Sequence, residues 1–316
     1  MGILLAIQGA VSQGVLWGIM ALGVYMTYRV LDIADLTVDG SFALGGSICA
    51  TMITMGMNPW LSLVVAIAAG AAAGAVTGFL HTKCDIPAIL AGILTQIGLY
   101  SVNLRIMGRS NTPLLKLDTM FKQLAALTGL PAAWVSLITG VVFCAGLITL
   151  LYCFFGTEIG SAIRATGSNE HMVRSLGANT NFTKVLGLML GNGLIALSGA
   201  LVTQSQGYAD IKMGTGAIVI GLASIIIGEV LFSGKKRMAF GTKLFAVILG
   251  SVIYRIIVAM VLQMGLNTDD LKLLTAILVA VALAIPVAIE KQRQLQSYKA
   301  SLGKGDDGHA GNKSCV

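Results

Sequence analysis

Charged side chains are scarce in this sequence. Asp, Glu, Lys and Arg make up 11% of its 316 residues, against about 25% in a typical soluble domain. None of the four occurs between Asp39 and Lys83, while hydrophobic residues reach 56% of the chain. This composition excludes an ordinary soluble domain and predicts a polytopic membrane protein. The net charge of +7 does not indicate nucleic acid binding, because the basic residues lie mostly between apolar segments.

Patterns typical of enzymes and metal sites are also lacking. The five cysteines show no C-x-x-C or zinc-ligand spacing, and the three histidines are scattered: His81, His171 and His309. No phosphate-binding loop G-x-x-x-x-G-K-[ST] occurs, and no soluble segment is large enough to form a nucleotide-binding domain. We therefore predict no catalytic residue, no metal and no cofactor.

Long apolar segments are what the chain does contain. A helix that crosses a bilayer needs about 20 residues, and the Asn58-Pro59 turn divides the uncharged stretch into two. The predicted spans are approximately 3–28, 41–56, 60–80, 86–104, 132–155, 182–204, 214–232, 239–264 and 273–289. The first is interpreted as a span and not a secretory signal, because no basic region precedes it. A broken or re-entrant helix at 39–46 or 214–221 would change the count from about nine to eight or ten.

The predicted fold class is therefore all-α, a polytopic membrane helix bundle. Its transmembrane domain covers residues 1–289, and a polar tail, 290–316, is predicted to be disordered. In this scheme 14 Lys and Arg residues fall in one set of loops and the tail, and six fall in the other. The positive-inside rule then places the N-terminus outside and the C-terminus in the cytoplasm.

Small residues recur at a four-residue spacing in the third span. Gly70, Gly74 and Gly78 share one helix face, and such a stripe allows a neighbouring helix to approach closely. We predict a packing role for these glycines and no ligand.

A polar segment, Thr157 to Lys184, separates the fifth and sixth spans. Within it, SNEHMVRSLG is predicted to be a short helix that Ser168 caps and Gly177 ends, with Glu170 in its first turn. A narrow apolar strip is predicted from four residues: Ile163, Met172, Val173 and Leu176. Two interpretations stay open, an ordinary cytoplasmic connection and a helix pair on which a second protein docks.

Two motifs resemble one family of transporters. The run MALGVYMTYRVLDIADLTVDGSFALGG, Met20 to Gly46, is similar to the signature of bacterial ABC-importer permeases of the branched-chain amino acid and ribose superfamily. The run GSAIRATGSNEHMVRSLGANT resembles the cytoplasmic loop that carries their coupling helices. The resemblance extends to about Ile289. Its LTVDGSF wording is closest to permeases that work with periplasmic or lipoprotein substrate-binding proteins.

The resemblance implies a function and a set of partners. The chain would be a multi-pass permease of the bacterial plasma membrane, importing a small solute such as an amino acid by alternating access. Its partners would be a pair of ATPase subunits, an extracytoplasmic binding protein and a second permease copy, most simply in a homodimer. The coupling loop, 156–184, would hold the residues that contact the ATPase: Arg164, Ala165, Ser168, Glu170, Arg174, Ser175, Leu176, Gly177 and Asn179.

Polar side chains inside the spans are costly when they face lipid, so we expect them to face the bundle or a wet cavity. The candidates for the translocation pathway are Gln13, Asp39, Ser41, Gln96, Asn192 and Arg255. For the neutral amides the alternative is hydrogen bonding between helices, and for Arg255 it is capping of backbone carbonyls. Asp39 is also interpreted as a cap of the second span, while Asp32 and Asp35 are assigned to a solvated turn.

Two other function classes remain as alternatives. An ion-coupled secondary transporter needs an acidic residue near the membrane midplane, and the sequence places all four Glu and ten Asp at or near span ends, in loops or in the tail. A membrane enzyme needs a converging acid, base or metal set, which the scattered histidines do not provide.

Overall fold

A computed structural model of the chain describes residues 2–232 and 239–263, together with isolated helical positions between 273 and 284. The basic cluster at 235–237, most of the predicted ninth span and the tail lie outside the described residues. The chain divides into two units, 1–268 and 269–316, and every element below belongs to the first.

The described part of the chain is helical apart from a two-stranded ribbon. Its helices are α1 (Gly2–Tyr25), α2 (Val38–Thr54), α3 (Pro59–Thr82), α4 (Ala88–Met107), α5 (Met120–Thr128), α6 (Ala132–Phe155), α7 (Glu158–Ser168), α8 (Glu170–Ser175), α9 (Thr180–Gln206), α10 (Ala217–Phe232) and α11 (Phe240–Gln263). A π-helical turn, Met26–Val30, continues α1. Strands β1 (Asn111–Pro113) and β2 (Tyr208–Asp210) pair antiparallel, with Thr112 opposite Ala209.

Among the described residues, six segments are long and apolar enough to cross a membrane: Ala6–Val30, Pro59–Thr82, Ala88–Met107, Ala132–Phe155, Thr180–Gln206 and Phe240–Gln263. This confirms the prediction of a polytopic helical membrane protein. Helices α2 and α10 match two further predicted spans but are shorter, at 17 and 16 residues. The count of nine spans and their orientation stay predictions.

Local sequence signals set several helix boundaries. The Asn58 side chain accepts a hydrogen bond from the Trp60 amide at 2.9 Å, and Pro59 begins α3, so the predicted turn is confirmed. Gly108 and Gly207 adopt the left-handed conformation that ends α4 and α9.

Helix α9 lies at the centre of the bundle and packs against α1, α2 and α3. Its residues Ile195–Gln204 are buried on every side. The predicted glycine stripe of α3 faces it. A Cβ atom on Gly70 would lie 2.5 Å from the Asn192 carbonyl oxygen, and one on Gly74 would collide with the Leu188 carbonyl. The packing role of the stripe is thus confirmed.

Helices α2 and α10 both begin within the bundle. Ser41, in the first turn of α2, bonds to Asn192 near the middle of α9, and Cys49 bonds farther along α9 to Gln204. Gly221, one turn into α10, packs against Met20 and Val24 in the second half of α1. Since α1 and α9 are antiparallel, α2 and α10 run in opposite directions from a similar depth. Their starts correspond to the two places where the sequence indicated a broken helix.

Candidate functional site

Two short helices, α7 and α8, form the polar segment between α6 and α9. Thr157 caps α7 by accepting from the Gly160 amide at 3.2 Å, and Asn169 caps α8 by accepting from the Met172 amide at 3.0 Å. The prediction that Ser168 caps the second helix is wrong, because Ser168 is the last residue of α7. The next residue, Asn169, has the extended backbone that an N-cap requires, and it takes this position instead of Ser168. Gly177, with φ of +85°, follows α8 as predicted.

The predicted apolar strip divides into two pairs. Ile163 and Val173 are buried against the bundle, whereas the side chains of Met172 and Leu176 are 53% and 76% exposed. The strip does not lie on one helix: Ile163 belongs to α7, Met172 and Val173 belong to α8, and Leu176 follows α8 directly. One pair therefore anchors the segment, and the other is presented outward.

Glu170 ties α8 to the start of α9. Its carboxylate accepts from Lys184 Nζ at 2.6 Å, from Thr180 Oγ1 at 3.2 Å and from Arg174 Nη2 at 3.3 Å. The hydrogen bond from Lys184 is the main reason why the pKa of Glu170 lies below its ordinary value. This residue was predicted to favour a first turn and to belong to the coupling residues, and in the fold it holds α8 and α9 together.

The other predicted coupling residues spread over both helices. The Arg164 guanidinium lies 5.0 Å from the centre of the Phe240 ring, which joins α7 to α11. Asn179 caps α9 by accepting from the Phe182 amide at 3.2 Å. Ala165 and Glu170 are half-buried, and the other seven members of the set are exposed: Arg164, Ser168, Arg174, Ser175, Leu176, Gly177 and Asn179.

A second polar cluster lies in the interior, where the chain enters α2. Asn192 donates to Asp35 at 2.7 Å and accepts from the Ser41 hydroxyl at 2.6 Å, and Asp35 also accepts from the Thr37 amide at 2.9 Å. The assignment of Asp35 to a solvated turn is wrong, since the residue is 2% exposed. Asp32 is exposed as predicted. Asp35 was missed because an acid beside a span is ordinarily in a loop, and here the loop folds back into the bundle.

Asp39 caps a helix, but not the predicted one. Its two carboxylate oxygens accept from the Gly216 amide at 2.8 Å and from the Ile218 amide at 3.0 Å, at the start of α10. The residue itself lies in the first turn of α2, whose start at Thr37 has no side-chain cap. Asp39 thus fastens the beginnings of α2 and α10 to each other. Asp35 precedes α2 and Asp39 lies in its first turn, so both acids are at a helix end, as the sequence indicated.

A cavity of about 440 Å³ adjoins this junction. Asp39 and Gly40 line it on one side, and α4 lines it with Gln96, Ser101 and Asn103. The Asn103 side chain is 1% exposed; its Nδ2 donates to the Gly40 carbonyl at 3.3 Å, and its Oδ1 has no partner within the described residues. Asp39 is the one carboxylate among the described residues that line this cavity.

The six predicted pathway residues fall in four places. Ser41 and Asn192 bond to each other, and Asp39 and Gln96 share the cavity. Gln13 makes a long contact of 3.5 Å with Gln206. The Arg255 guanidinium lies 4.0 Å from the centre of the Trp17 ring.

Two polar residues of α11, Ser251 and Arg255, both contact α1. The Ser251 hydroxyl donates to the Gly14 carbonyl at 2.8 Å. One turn farther along, Arg255 stacks on Trp17 of the same helix α1.

Comparison with protein families gives a match over almost the whole chain. The family described as "Branched-chain amino acid transport system / permease component" matches residues 6–288.

Curated relatives and a solved structure are similar to the chain. A tyrosine transport system permease protein from Clostridioides difficile is 42% identical over 278 residues, covering 88% of this chain and 90% of that protein. The ribose import permease protein RbsC of Escherichia coli is 30% identical, covering 73% of this chain and 71% of the relative. The solved structure is a metal-chelate type ABC transporter in an inward-facing conformation, with a TM-score of 0.48 and 15% identity, covering 90% of this chain and 85% of that one.

Proposed function

Since the chain belongs to the branched-chain amino acid transport system permease family, we propose that its α7–α8 pair is the surface through which a separate ATPase drives transport. The chain is the permease subunit of an ABC importer, and ATP hydrolysis resides in another subunit. It is a multi-pass protein of the bacterial inner membrane. Membership of this family indicates ATPase and binding-protein partners.

The exposed apolar pair on α8 is the observation that carries this proposal. Met172 is about half exposed and Leu176 three-quarters exposed, and Ile159 and Phe182 are further exposed apolar side chains of the same segment. A few exposed apolar anchors amid polar residues are typical of a docking surface. Leu176 is one of the nine coupling residues named from the sequence. The other eight lie on α7, on α8 or in the turn before α9.

Three contacts would carry movement of the pair into the bundle. Gly167 packs so closely on Val30 and Leu31 that a Cβ atom would collide with the Val30 carbonyl. Arg164 stacks on Phe240 of α11, and Glu170 bonds to Lys184 of α9. A rigid movement of α7 and α8 would therefore act on α1, α9 and α11 together, as alternating access requires.

The arrangement in the membrane and the assembly are part of the proposal. The N-terminus lies outside, the C-terminus in the cytoplasm, the membrane domain spans 1–289 in about nine helices, and 290–316 is a cytoplasmic tail. Tyr100, Ser101 and Arg105 are exposed on the outward face of α4. Polar groups on that face would be costly against lipid, which favours a second permease copy beside α4, in a homodimer.

The translocation pathway would follow the same side of the bundle. Asp39 and Gln96 line the cavity next to α4, and Ser41 and Asn192 hold the start of α2 in place behind it. Gln13 and Arg255 would contribute nearer the outer end of the pathway. The cargo is proposed to be an amino acid or a related compound, because the relative named as a tyrosine permease is 42% identical over 88% of this chain.

Replacing Leu176 with Glu tests the coupling surface. We expect the permease to insert normally but to retain its ATPase partner about tenfold less well, since a charge would replace an apolar anchor. Leu127→Glu is the matched control, because Leu127 is 83% exposed on α5, away from α7 and α8. Equal co-purification of the ATPase with both variants would contradict the docking role.

The cargo is tested with the complete transporter and its binding protein in proteoliposomes. We expect ATP-dependent uptake of labelled L-tyrosine by the wild type and little uptake by Leu176→Glu. Uptake of labelled ribose in preference to tyrosine would overturn the proposed cargo. Uptake that continues without ATP and stops when the ion gradient collapses would instead indicate a secondary transporter.

A further inference from the structure

We infer that the groove between the end of α3 and the start of α9 is a binding site for one anionic phospholipid, with the Lys83 ammonium on its phosphate and an acyl chain on the apolar wall. In the proposed orientation this lipid belongs to the cytoplasmic leaflet. The inference goes beyond the proposed function, because it adds a partner that is neither cargo nor protein. It rests on the shape of the groove, on the depth of its polar residues and on its charge.

The groove has a volume of about 590 Å³. Five apolar side chains line it: Ala75, Val76, Phe79, Phe182 and Val185. Of these, Val76, Phe79 and Phe182 are each more than half exposed. The two helices that form its walls are in direct contact, since a Cβ atom on Gly78 would lie 3.0 Å from Val185. The groove is therefore a cleft between touching helices, with apolar side chains that the other described residues leave exposed.

The lining changes from apolar to polar toward the ends of the two helices. Val76 and Val185 lie about 8 Å inside α3 and α9. Lys83 directly follows α3, and Asn181 lies in the first turn of α9. With 24 and 27 residues, these helices are about 36 and 40 Å long, which exceeds the roughly 30 Å of the hydrocarbon core. The polar end of the groove thus lies at the depth of lipid phosphates, and the apolar part lies in the hydrocarbon.

The charge at the polar end favours an anionic headgroup. Lys83 is exposed and has no ion pair among the described residues, and it is the only charged residue of that part of the chain that lines the groove. Asp85 is close in sequence but does not line the groove. Asn181 adds a neutral amide that can donate to phosphate oxygens. Basic pockets between membrane helices are typical sites for acidic headgroups.

An ATPase subunit is the other partner that could cover this groove, because Asn179 and Phe182 line it and also belong to the coupling loop. The apolar part of the groove, however, lies at the depth of the hydrocarbon, which a cytoplasmic protein does not reach. A phospholipid matches both the polar end and the apolar part, whereas an ATPase matches only the polar end.

Bound lipid is measured by native mass spectrometry of the full-length permease with its ATPase, released from detergent micelles. The probes are phosphatidylglycerol and phosphatidylcholine with the same acyl chains, which differ in net charge. We expect about fivefold stronger retention of phosphatidylglycerol, the effect of one lysine near an acidic headgroup. Equal retention of the two lipids by the wild type would overturn the inference.

Replacing Lys83 with Gln tests the headgroup contact. Retention of phosphatidylglycerol should fall about fivefold, and that of phosphatidylcholine should not change. Lys116→Gln is the matched control, since Lys116 is also exposed, has no ion pair among the described residues and does not line the groove. Equal losses in the two variants would contradict a headgroup at Lys83. Loss of the ATPase from Lys83→Gln with unchanged lipid retention would show that the ATPase covers the groove, and would also overturn the inference.

Replacing Phe79 with Ala tests the acyl chain. Both lipids should be retained less well and to the same extent, because the variant removes apolar contact and no charge. Phe245→Ala is the control, since Phe245 is 51% exposed on α11 and does not line the groove. Equal lipid retention by these two variants would contradict the apolar wall. Micelles offer lipid to every side of the protein, so an error in the proposed orientation does not alter these measurements.

Discussion

Individual side chains hold the α7–α8 pair on the bundle. Glu170 accepts three hydrogen bonds there. It joins α8 to Lys184 and Thr180 at the start of α9, at distances of 2.6 and 3.2 Å. Such a partly exposed ion pair stabilises the folded protein by about 0.2–1 kcal/mol. Its importance is therefore local, in keeping α8 aligned with α9.

Replacing Glu170 with Gln should loosen α8 without unfolding the protein. We expect backbone amides of α8 to exchange with deuterium about two- to fivefold faster, because an ion pair worth up to about 1 kcal/mol is lost. Hydrogen exchange with mass spectrometry of the complex in nanodiscs measures this. Glu158→Gln is the control, since Glu158 is exposed on α7 and has no ion pair among the described residues.

The same contact predicts a pH dependence. The pKa of Glu170 is lower in the folded protein than its ordinary value of about 4.3, mainly through the Lys184 hydrogen bond. The contribution to stability is thus fully present above the ordinary pKa and is lost as the pH falls through the lowered one. The quantity to compare is the protection of the α8 amides, which is their exchange rate relative to the intrinsic rate at the same pH. Protection that stays constant from neutral pH to below that range would contradict this role.

At the scale of helices, glycine decides which elements approach closely. The α3 stripe lets Gly70, Gly74 and Gly78 lie directly against the backbone of α9. The stripe was recognised from its four-residue spacing, which is a property of one helix. The sequence did not predict that α9 is the partner helix, because the spacing of glycines on one helix does not specify the neighbouring helix.

Replacing Gly74 with Ala should destabilise the bundle by about 1–3 kcal/mol, because the added methyl group collides with the Leu188 carbonyl. A lower thermal unfolding midpoint of the purified permease would show this. Gly146→Ala is the matched control, since Gly146 also lies within a helix and a Cβ atom there meets nothing within 4 Å. Equal midpoints for the two variants would rule out close packing at Gly74.

For the whole molecule, the orientation in the membrane is the main prediction that remains. Cys84 is exposed in the turn between α3 and α4, whereas Cys49 and Cys144 are buried. In the nine-span arrangement this turn faces the cytoplasm.

A variant with Cys84 as its only cysteine tests the orientation. We expect an impermeant maleimide to label it in inverted membrane vesicles and not in intact cells. A parallel variant that keeps only Cys315 should behave in the same way. Labelling of Cys84 from outside intact cells would reverse the orientation of the first half of the chain.

Residue patterns alone were sufficient for the helical membrane fold, the approximate bounds of most helices, the glycine stripe and the short helix that Gly177 follows. Each of these depends on properties that are local in sequence: hydropathy over about 20 residues, a turn at Asn58-Pro59, a spacing of four. Two motifs also indicated the family, which the match over residues 6–288 confirms.

Tertiary structure decided where α2 and α10 begin, and therefore which acids lie in the interior. Asp39 bonds to Gly216 and Ile218, which are 177 and 179 residues away, and Ser41 bonds to Asn192 across 151 residues. No local pattern specifies such partners, because an acid beside an apolar segment fits a solvated turn equally well. Packing around α9 draws that turn into the bundle, where an unpaired polar atom costs free energy, and this cost favours the pairs that form.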